Sequence, residues 1–321
     1  MSLTVLVWHV HGSWLTALVQ GPHRYLVPTV PGRGPDGLGR ARTWDWPASV
    51  VEVTPEELRD TRVDAVLLQR PRDLELLAAW TGWRPGVDVP CVYVEHDTPP
   101  AAVDARHPVG ERAELAGVLL VHVTHFNRLA WDNGAARTRV VEHGVLDPGH
   151  TWTGELARAA VVTNDPVPRG RTVGTDLLPR FAPLGVDVFG MRVEGLGGAL
   201  GVGVGEFEDL PQEAMHGELA RRRVYLHLTR WTSLGLSLVE AMTIGMPVVV
   251  LATTEAPTVV PAAAGVVAAD VDRLVDGARA LLADPGAARA AGEVARGAAL
   301  ERFGLTRFLD DWDLVLGEVV R

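Results

Sequence analysis

Short apolar runs, many of them β-branched, alternate with amphipathic stretches along the chain. Thr4–Val10, Tyr25–Pro28, Val50–Val53, Val63–Leu68, Val89–Glu95, Gly117–Val123 and Thr138–Glu142 read as strands. Between them, the segment from Trp14 through Val19, Pro55–Asp60, Asp73–Trp80 and His125–Trp131 read as helices. Thr54 and Thr124 stand where helix caps belong, and Pro55 takes the first helical position. Buried strands alternating with helices predict a parallel sheet covered on both faces. The same rhythm recurs with strands at Ala159–Thr163, Val186–Phe189, Val224–Leu228 and Val248–Leu251. Its helices are Asp176–Phe181, Glu213–Arg222, a short one ending at Gly245, Asp272–Leu282 and Gly286–Glu301. Arg221–Arg223 fall in the last turn of Glu213–Arg222, where cations suit the helix dipole. Two glycine-rich stretches, Gly32–Gly39 and Gly190–Gly205, read as loops. Leu305–Val319 is amphipathic, with Phe308, Leu309, Trp312, Leu316 and Val319 as its stripe.

Composition narrows the function classes. The chain has 321 residues, enough for two ordinary domains. A formal charge of −10 argues against a nucleic-acid partner. No apolar run reaches the ~18 residues of a membrane span, and no signal sequence precedes the first strand. A single cysteine, Cys91, excludes an internal disulfide and points to a reducing, cytoplasmic setting. All 30 basic residues are arginine. A chain without lysine cannot be a P-loop enzyme or a pyridoxal-phosphate enzyme, and any phosphate contact falls to arginine. His9 and His11 are too few to hold a metal without a third ligand, so no metal is expected.

The richest stretch is Arg230–Leu251. A polar loop leads into a helix covered on most faces by Leu236, Leu238, Val239, Ala241 and Met242. Ser237 and Glu240 share the remaining face. Gly245 offers the left-handed end of that helix and Pro247 stops it from resuming. A carboxylate on so apolar a helix needs partners: an arginine, solvent, or the two hydroxyls of a ribose. Ser233, Leu234 and Gly235 sit at the helix N-terminus, where backbone N–H groups favour a phosphate or a sugar oxygen.

The run S-L-G-L-S-L-V-E-A-M-x-x-G-x-P-V-V, Ser233 to Val249, resembles the donor-site signature of retaining GT-B glycosyltransferases of family 4. The resemblance implies two Rossmann-like doubly wound parallel-sheet domains facing a central cleft. The expected boundaries are 1–152, 153–303 and a final helix, 304–321, crossing back to the first domain. It assigns Glu240 to the ribose and the amides of Leu234 and Gly235 to the diphosphate. The family's other glutamate, eight positions earlier, is here Thr232. The glycine of the family's first strand–helix loop survives as Gly12, with His11 beside it. His143 stands where a strand ends in the family's Asn-Gly-Val-Asp. The family's Gly-Arg is replaced by Asn164-Asp165, and its basic pair moves to Arg169 and Arg171. Thr253-Thr254-Glu255-Ala256-Pro257 takes the place of a Gly-Gly-x-Pro-Glu loop. His96 and Asp97, just past a strand, are candidates to touch the sugar.

The implied activity is transfer of a sugar from a nucleoside diphosphate sugar to an acceptor hydroxyl with retention of configuration. Arg169, Arg171 and the loop amides would carry the diphosphate charge, and no cofactor beyond the donor substrate is expected. The acceptor is open, as is a peripheral membrane contact. A sugar-nucleotide epimerase of the same fold and a non-catalytic nucleotide-sugar-binding protein remain alternatives.

Overall fold

Val66, Leu67 and Leu68 have no exposed surface, because their strand lies in the interior of a seven-stranded sheet. In this computed structural model, which describes residues 2–100 and 105–321, that sheet is built from β1 (Thr4–Val7), β2 (Arg24–Pro28), β3 (Val50–Val53), β4 (Ala65–Leu68), β5 (Cys91–Glu95), β6 (Leu119–His122) and β7 (Thr138–Val140). The order is β3-β2-β1-β4-β5-β6-β7, and the registered pairs are parallel. The chain runs outward from β1 to one edge, then resumes at β4 toward the other. The switch point therefore lies between β1 and β4, and crevices for ligands form at the carboxyl ends of strands there.

The helices carry the expected chemistry at their ends. Thr54 and Glu57 form a reciprocal capping box on Pro55–Asp60. Thr124 accepts the Asn127 N–H at the start of His125–Ala130. Leu305–Val319 groups with this unit, which comprises Met1–Val145 and Leu305–Arg321. Its buried side chains are Phe308, Trp312, Val315 and Leu316, so Val315 joins the stripe while Leu309 and Val319 are half-buried. Trp14 meets Trp312 and Phe308 edge-on at 5.6 and 6.4 Å, and Arg307 donates to the carbonyls of Glu142 and His143. Cys91 is buried in the core.

The second unit, Leu146–Gly304, holds β8 (Leu156–Val162), β9 (Val186–Gly190), β10 (Gly205–Glu208), β11 (Arg222–His227), β12 (Val248–Leu251) and β13 (Gly265–Ala268). Its order, β10-β9-β8-β11-β12-β13, is again parallel and doubly wound. Val249, Leu226, Val224 and Phe181 lie in its core. The helix Leu236–Ile244 ends at Gly245 with φ 101°, and Pro247 precedes β12.

Three expectations need correction. The stretch read as a loop through Gly205 contains a helix, Leu196–Leu200, and is followed by edge strand β10. Phe207 stacks on Phe189 at 4.5 Å, and Glu206 and Glu208 accept backbone N–H groups from Arg192 to Gly197. Those side-chain anchors give a glycine-rich stretch regular structure that its composition hides. Arg222 and Arg223 do not end a helix but begin β11. Arg222 is 3% exposed; its Nε donates to Asp187 at 2.8 Å and its guanidinium lies over Phe189 and Phe207. Asp176–Phe181 is a 3₁₀ turn running into one helical turn, and the preceding loop holds a short helix, Pro166–Arg169, and a further 3₁₀ turn.

Candidate functional site

In the first unit, candidates gather at the carboxyl ends of β1, β5 and β7. His96 directly follows β5 and is 7% exposed. His11 lies 4.0 Å from it, ring to ring, and His143 stacks at 6.5 Å. Trp14 closes the group edge-on at 4.9 Å. Burial, then the charges of His11 and His143, pushes the His96 pKa well below the usual histidine value. Burial also lowers His11, opposed by Asp97, and drives His143 down to about 3. The three rings are therefore neutral at pH 7, each with one donor and one acceptor nitrogen.

Asp97 is exposed, but its backbone is pinned. Its N–H donates to Glu95 at 2.7 Å, and its carbonyl accepts from Asn127 and Trp131 at 3.1 and 2.9 Å. Glu95 is held in turn by His107 Nε2 at 3.0 Å. Gly12 is covered: a Cβ there would lie 1.8 Å from the Trp44 ring. His9 turns away from His11, bonding the Gly39 carbonyl and packing on Trp46. Among the described residues, no three His, Cys, Asp or Glu side chains converge on a metal position.

In the second unit, the loops after β8, β11 and β12 meet. Arg230 and Trp231 donate backbone N–H groups to the Thr172 carbonyl at 2.9 and 3.3 Å. Arg230 also forks onto Asp176 at 2.5 and 3.0 Å and bonds the Arg171 carbonyl. Arg171, largely exposed, shares Asp176 at 3.0 Å, and Arg169 is exposed on its short helix. Hydrogen bonds from Arg230 hold the Asp176 carboxyl below its ordinary range. Thr253 Oγ1 donates to the Thr229 carbonyl at 2.7 Å, tying the loop after β12 to the loop after β11. Thr254 holds φ 51°, a left-handed conformation costly for a β-branched residue, at a place where the resemblance puts a glycine.

Ser233 and Leu234 are buried and Thr232 is half-buried. Gly235 opens the helix Leu236–Ile244, which has no side-chain cap. A Cβ at Gly235 would sit 2.6 Å from the His227 ring, so this loop–strand contact requires glycine. His227 is lowered to about 4 by burial.

Glu240 is 8% exposed. One carboxylate oxygen accepts from Gln212 Nε2 at 3.1 Å, and the other lies 3.7 Å from His216 Nε2. Ser237 on the same helix bonds the Tyr225 hydroxyl at 2.9 Å. No arginine is paired with Glu240 among the described residues, although the chain has 30 basic residues, all arginine.

Residues 202–298 match the family model "Glycosyl transferases group 1". No curated protein matches the sequence. Among solved structures, sucrose-phosphate synthase (tll1590) from Thermosynechococcus elongatus superposes with a TM-score of 0.72 at 14% identity over 98% of each chain. Anabaena Alr3699/HepE, solved with UDP-glucose, gives 0.69 at 15% identity over 98% of this chain and 100% of that one. AviGT4, a glycosyltransferase of avilamycin A biosynthesis, gives 0.64 at 15% identity over 99% and 98%. The chain has the GT-B fold with a glycosyl transferases group 1 domain. Glu240 and the loop before it lie inside the matched residues of the group 1 domain; Arg169, Arg171 and the histidines of the first unit lie outside them.

Arg230, Asp176, Gln212, His216 and His227 were not singled out by the sequence. Arg230 was visible in the polar loop after an apolar strand, but its fork onto Asp176 joins residues 54 apart. For Gln212 and His216 the one available signal was their spacing of one helical turn.

Proposed function

We propose that the protein transfers a sugar from a nucleoside diphosphate sugar to an acceptor hydroxyl, with retention of configuration. Glu240 carries this reading. A carboxylate buried on an apolar helix, in a chain rich in arginine, is held by a neutral amide and no arginine. Ribose hydroxyls complete such a group: two vicinal O–H donors match two carboxylate oxygens. The uncapped helix start at Ser233–Gly235 suits the diphosphate, and Arg169 and Arg171 add positive charge from the loop after β8. The HepE relative of the same fold was solved with UDP and with UDP-glucose, which agrees with this class of donor.

In the reaction, the bond from the sugar C1 to the phosphate oxygen breaks as the acceptor oxygen bonds C1 on the same face. The acceptor proton passes to the departing phosphate oxygen. No protein nucleophile is needed, so the chain contributes positioning and charge stabilisation. We assign Thr232 to the sugar end of the donor loop; in the first unit, His96 and Asp97 are the candidates for contact with the sugar or the acceptor. The donor is a substrate and no cofactor or metal is assigned. Among the described residues, no helix is long and apolar enough to cross a membrane.

The test joins binding to turnover. Glu240→Ala should weaken UDP or GDP binding by about 1.5–3 kcal/mol in calorimetry, since charge-assisted hydrogen bonds are lost. A 2′-deoxy diphosphate should bind the wild type correspondingly less well. Nucleoside diphosphate release across a donor panel, with the product anomer read by proton NMR, checks the reaction. Unchanged affinity in a folded Glu240→Ala protein would falsify the ribose assignment.

A further inference from the structure

Gln212 and His216 lie one turn apart on the helix Gln212–Arg221, and their side chains approach different oxygens of one carboxylate. Gln212 Nε2 donates to Glu240 Oε1 at 3.1 Å. His216 Nε2 is 3.7 Å from Oε2, too far for a hydrogen bond. That nitrogen is buried and has no other hydrogen-bond partner, and the His216 side chain is 14% exposed. One prong is closed and the other stands slightly open.

We propose that Gln212 and His216 are positioning residues that clamp the Glu240 carboxylate, and that protonated His216 closes on Oε2 and competes with the ribose. This rests on Glu240 binding ribose, and it adds the groups that orient Glu240 and the condition that disables it. Gln212 fixes the carboxylate plane through Oε1 while leaving that oxygen's second lone pair for a ribose hydroxyl. Neutral His216 leaves Oε2 to the other hydroxyl. Once protonated, it offers a charge-assisted donor within a small side-chain movement of Oε2, and such bonds exceed neutral ones in strength. The hydroxyl then loses its acceptor.

The electrostatic surroundings are simple. On the helix Leu236–Ile244 the ionisable group facing His216 is Glu240 itself. From β11, Tyr225 presents a hydroxyl bonded to Ser237, a phenol that stays neutral through the histidine range because burial raises its pKa. On its own helix, Glu213 is exposed and Glu218 pairs with Arg221 and Arg222. Among the groups named here, His216 is the one base that faces this carboxylate.

The experiment is calorimetric titration of the full chain with UDP, and with GDP in parallel, between about pH 8 and about pH 5.5. Wild-type affinity should fall about tenfold across that range, the scale of one displaced hydrogen bond to a charged group. His216→Phe should bind as tightly at the acid end as at the neutral end. Gln212→Leu should bind several-fold more weakly at every pH and retain the acid dependence. Both side chains are half-buried against the helix Leu236–Ile244, so thermal melting checks that each variant is folded. Acid dependence persisting in His216→Phe, or undiminished affinity in Gln212→Leu, overturns the clamp while leaving the ribose assignment intact. Unchanged affinity in Glu240→Gln and Glu240→Ala together overturns both.

Discussion

Replacing His143 by asparagine should make the first unit more resistant to acid. The ring is 3% exposed and neither nitrogen has a hydrogen-bond partner. Burial, then the charges of His11 and Arg307, lowers its pKa from 6.5 to about 3. The sign follows from linkage. Below the unfolded value the unfolded chain takes up a proton that the folded chain refuses, so stability is full above about pH 6.5 and lost on the way down to the folded value. At about pH 5 the gap is about 1.5 units, or about 2 kcal/mol for this ring. His122, buried against Asn133 and lowered to about 4, adds a similar loss. His11 and His96 act in the same direction.

Urea unfolding at about pH 7.5 and about pH 5, followed by tryptophan fluorescence, measures the loss. All ten tryptophans except Trp152 and Trp231 lie in the first unit, so the signal reports that unit. The wild type should lose about 4 kcal/mol or more between the two conditions, and His143→Asn should recover about 2 kcal/mol of it. Any fixed cost of burying asparagine cancels, because each variant is compared with itself. Equal losses in both proteins would show that His143 is not neutral and buried as described.

Asp187→Ala should destabilise the second unit by about 3 kcal/mol or more in chemical denaturation, because it strips a charge partner from buried Arg222. A loss under about 1 kcal/mol would mean that Glu218 and the two phenylalanine rings suffice for Arg222. Thr232→Glu should reorder the rates across a panel of sugar donors, since it adds two charged acceptors beside the loop, each worth ~1.5–3 kcal/mol; an unchanged order removes Thr232 from the sugar. Turnover should survive EDTA, and its abolition with recovery on adding manganese or zinc would assign a metal that the proposed mechanism does not use.

What could be read from the chain followed the range of the interactions. Helix and strand rhythm is local, so the sequence anticipated the parallel α/β architecture, the helix before Gly245 and the caps at Thr54 and Thr124. The resemblance at Ser233–Val249 also reached the glycosyl transferases group 1 domain, because that signature packs loop, helix and strand into contiguous residues. The misses are contacts between distant residues. An arginine run looks like a helix end until Asp187, 35 residues away, draws Arg222 into a strand. A glycine-rich stretch looks unstructured until Glu206 and Glu208 bind its N–H groups.

The same distinction separates the halves of the candidate site. Glu240 was legible because its own helix is apolar enough to make a carboxylate conspicuous. Gln212 and His216 were not, because nothing in an exposed amphipathic helix reveals which face meets another helix. Thr254 lies between these cases. Its sequence departs from the glycine loop of the resembling family, yet its backbone holds φ 51°, the conformation a glycine would adopt without strain. Thr254 holds a conformation that favours glycine without being glycine, so the departures at Thr232 and at Thr253-Thr254 are different in kind. The second holds a left-handed backbone at an energetic cost, whereas the resemblance makes the first a lost charge, which would alter what the loop can hold.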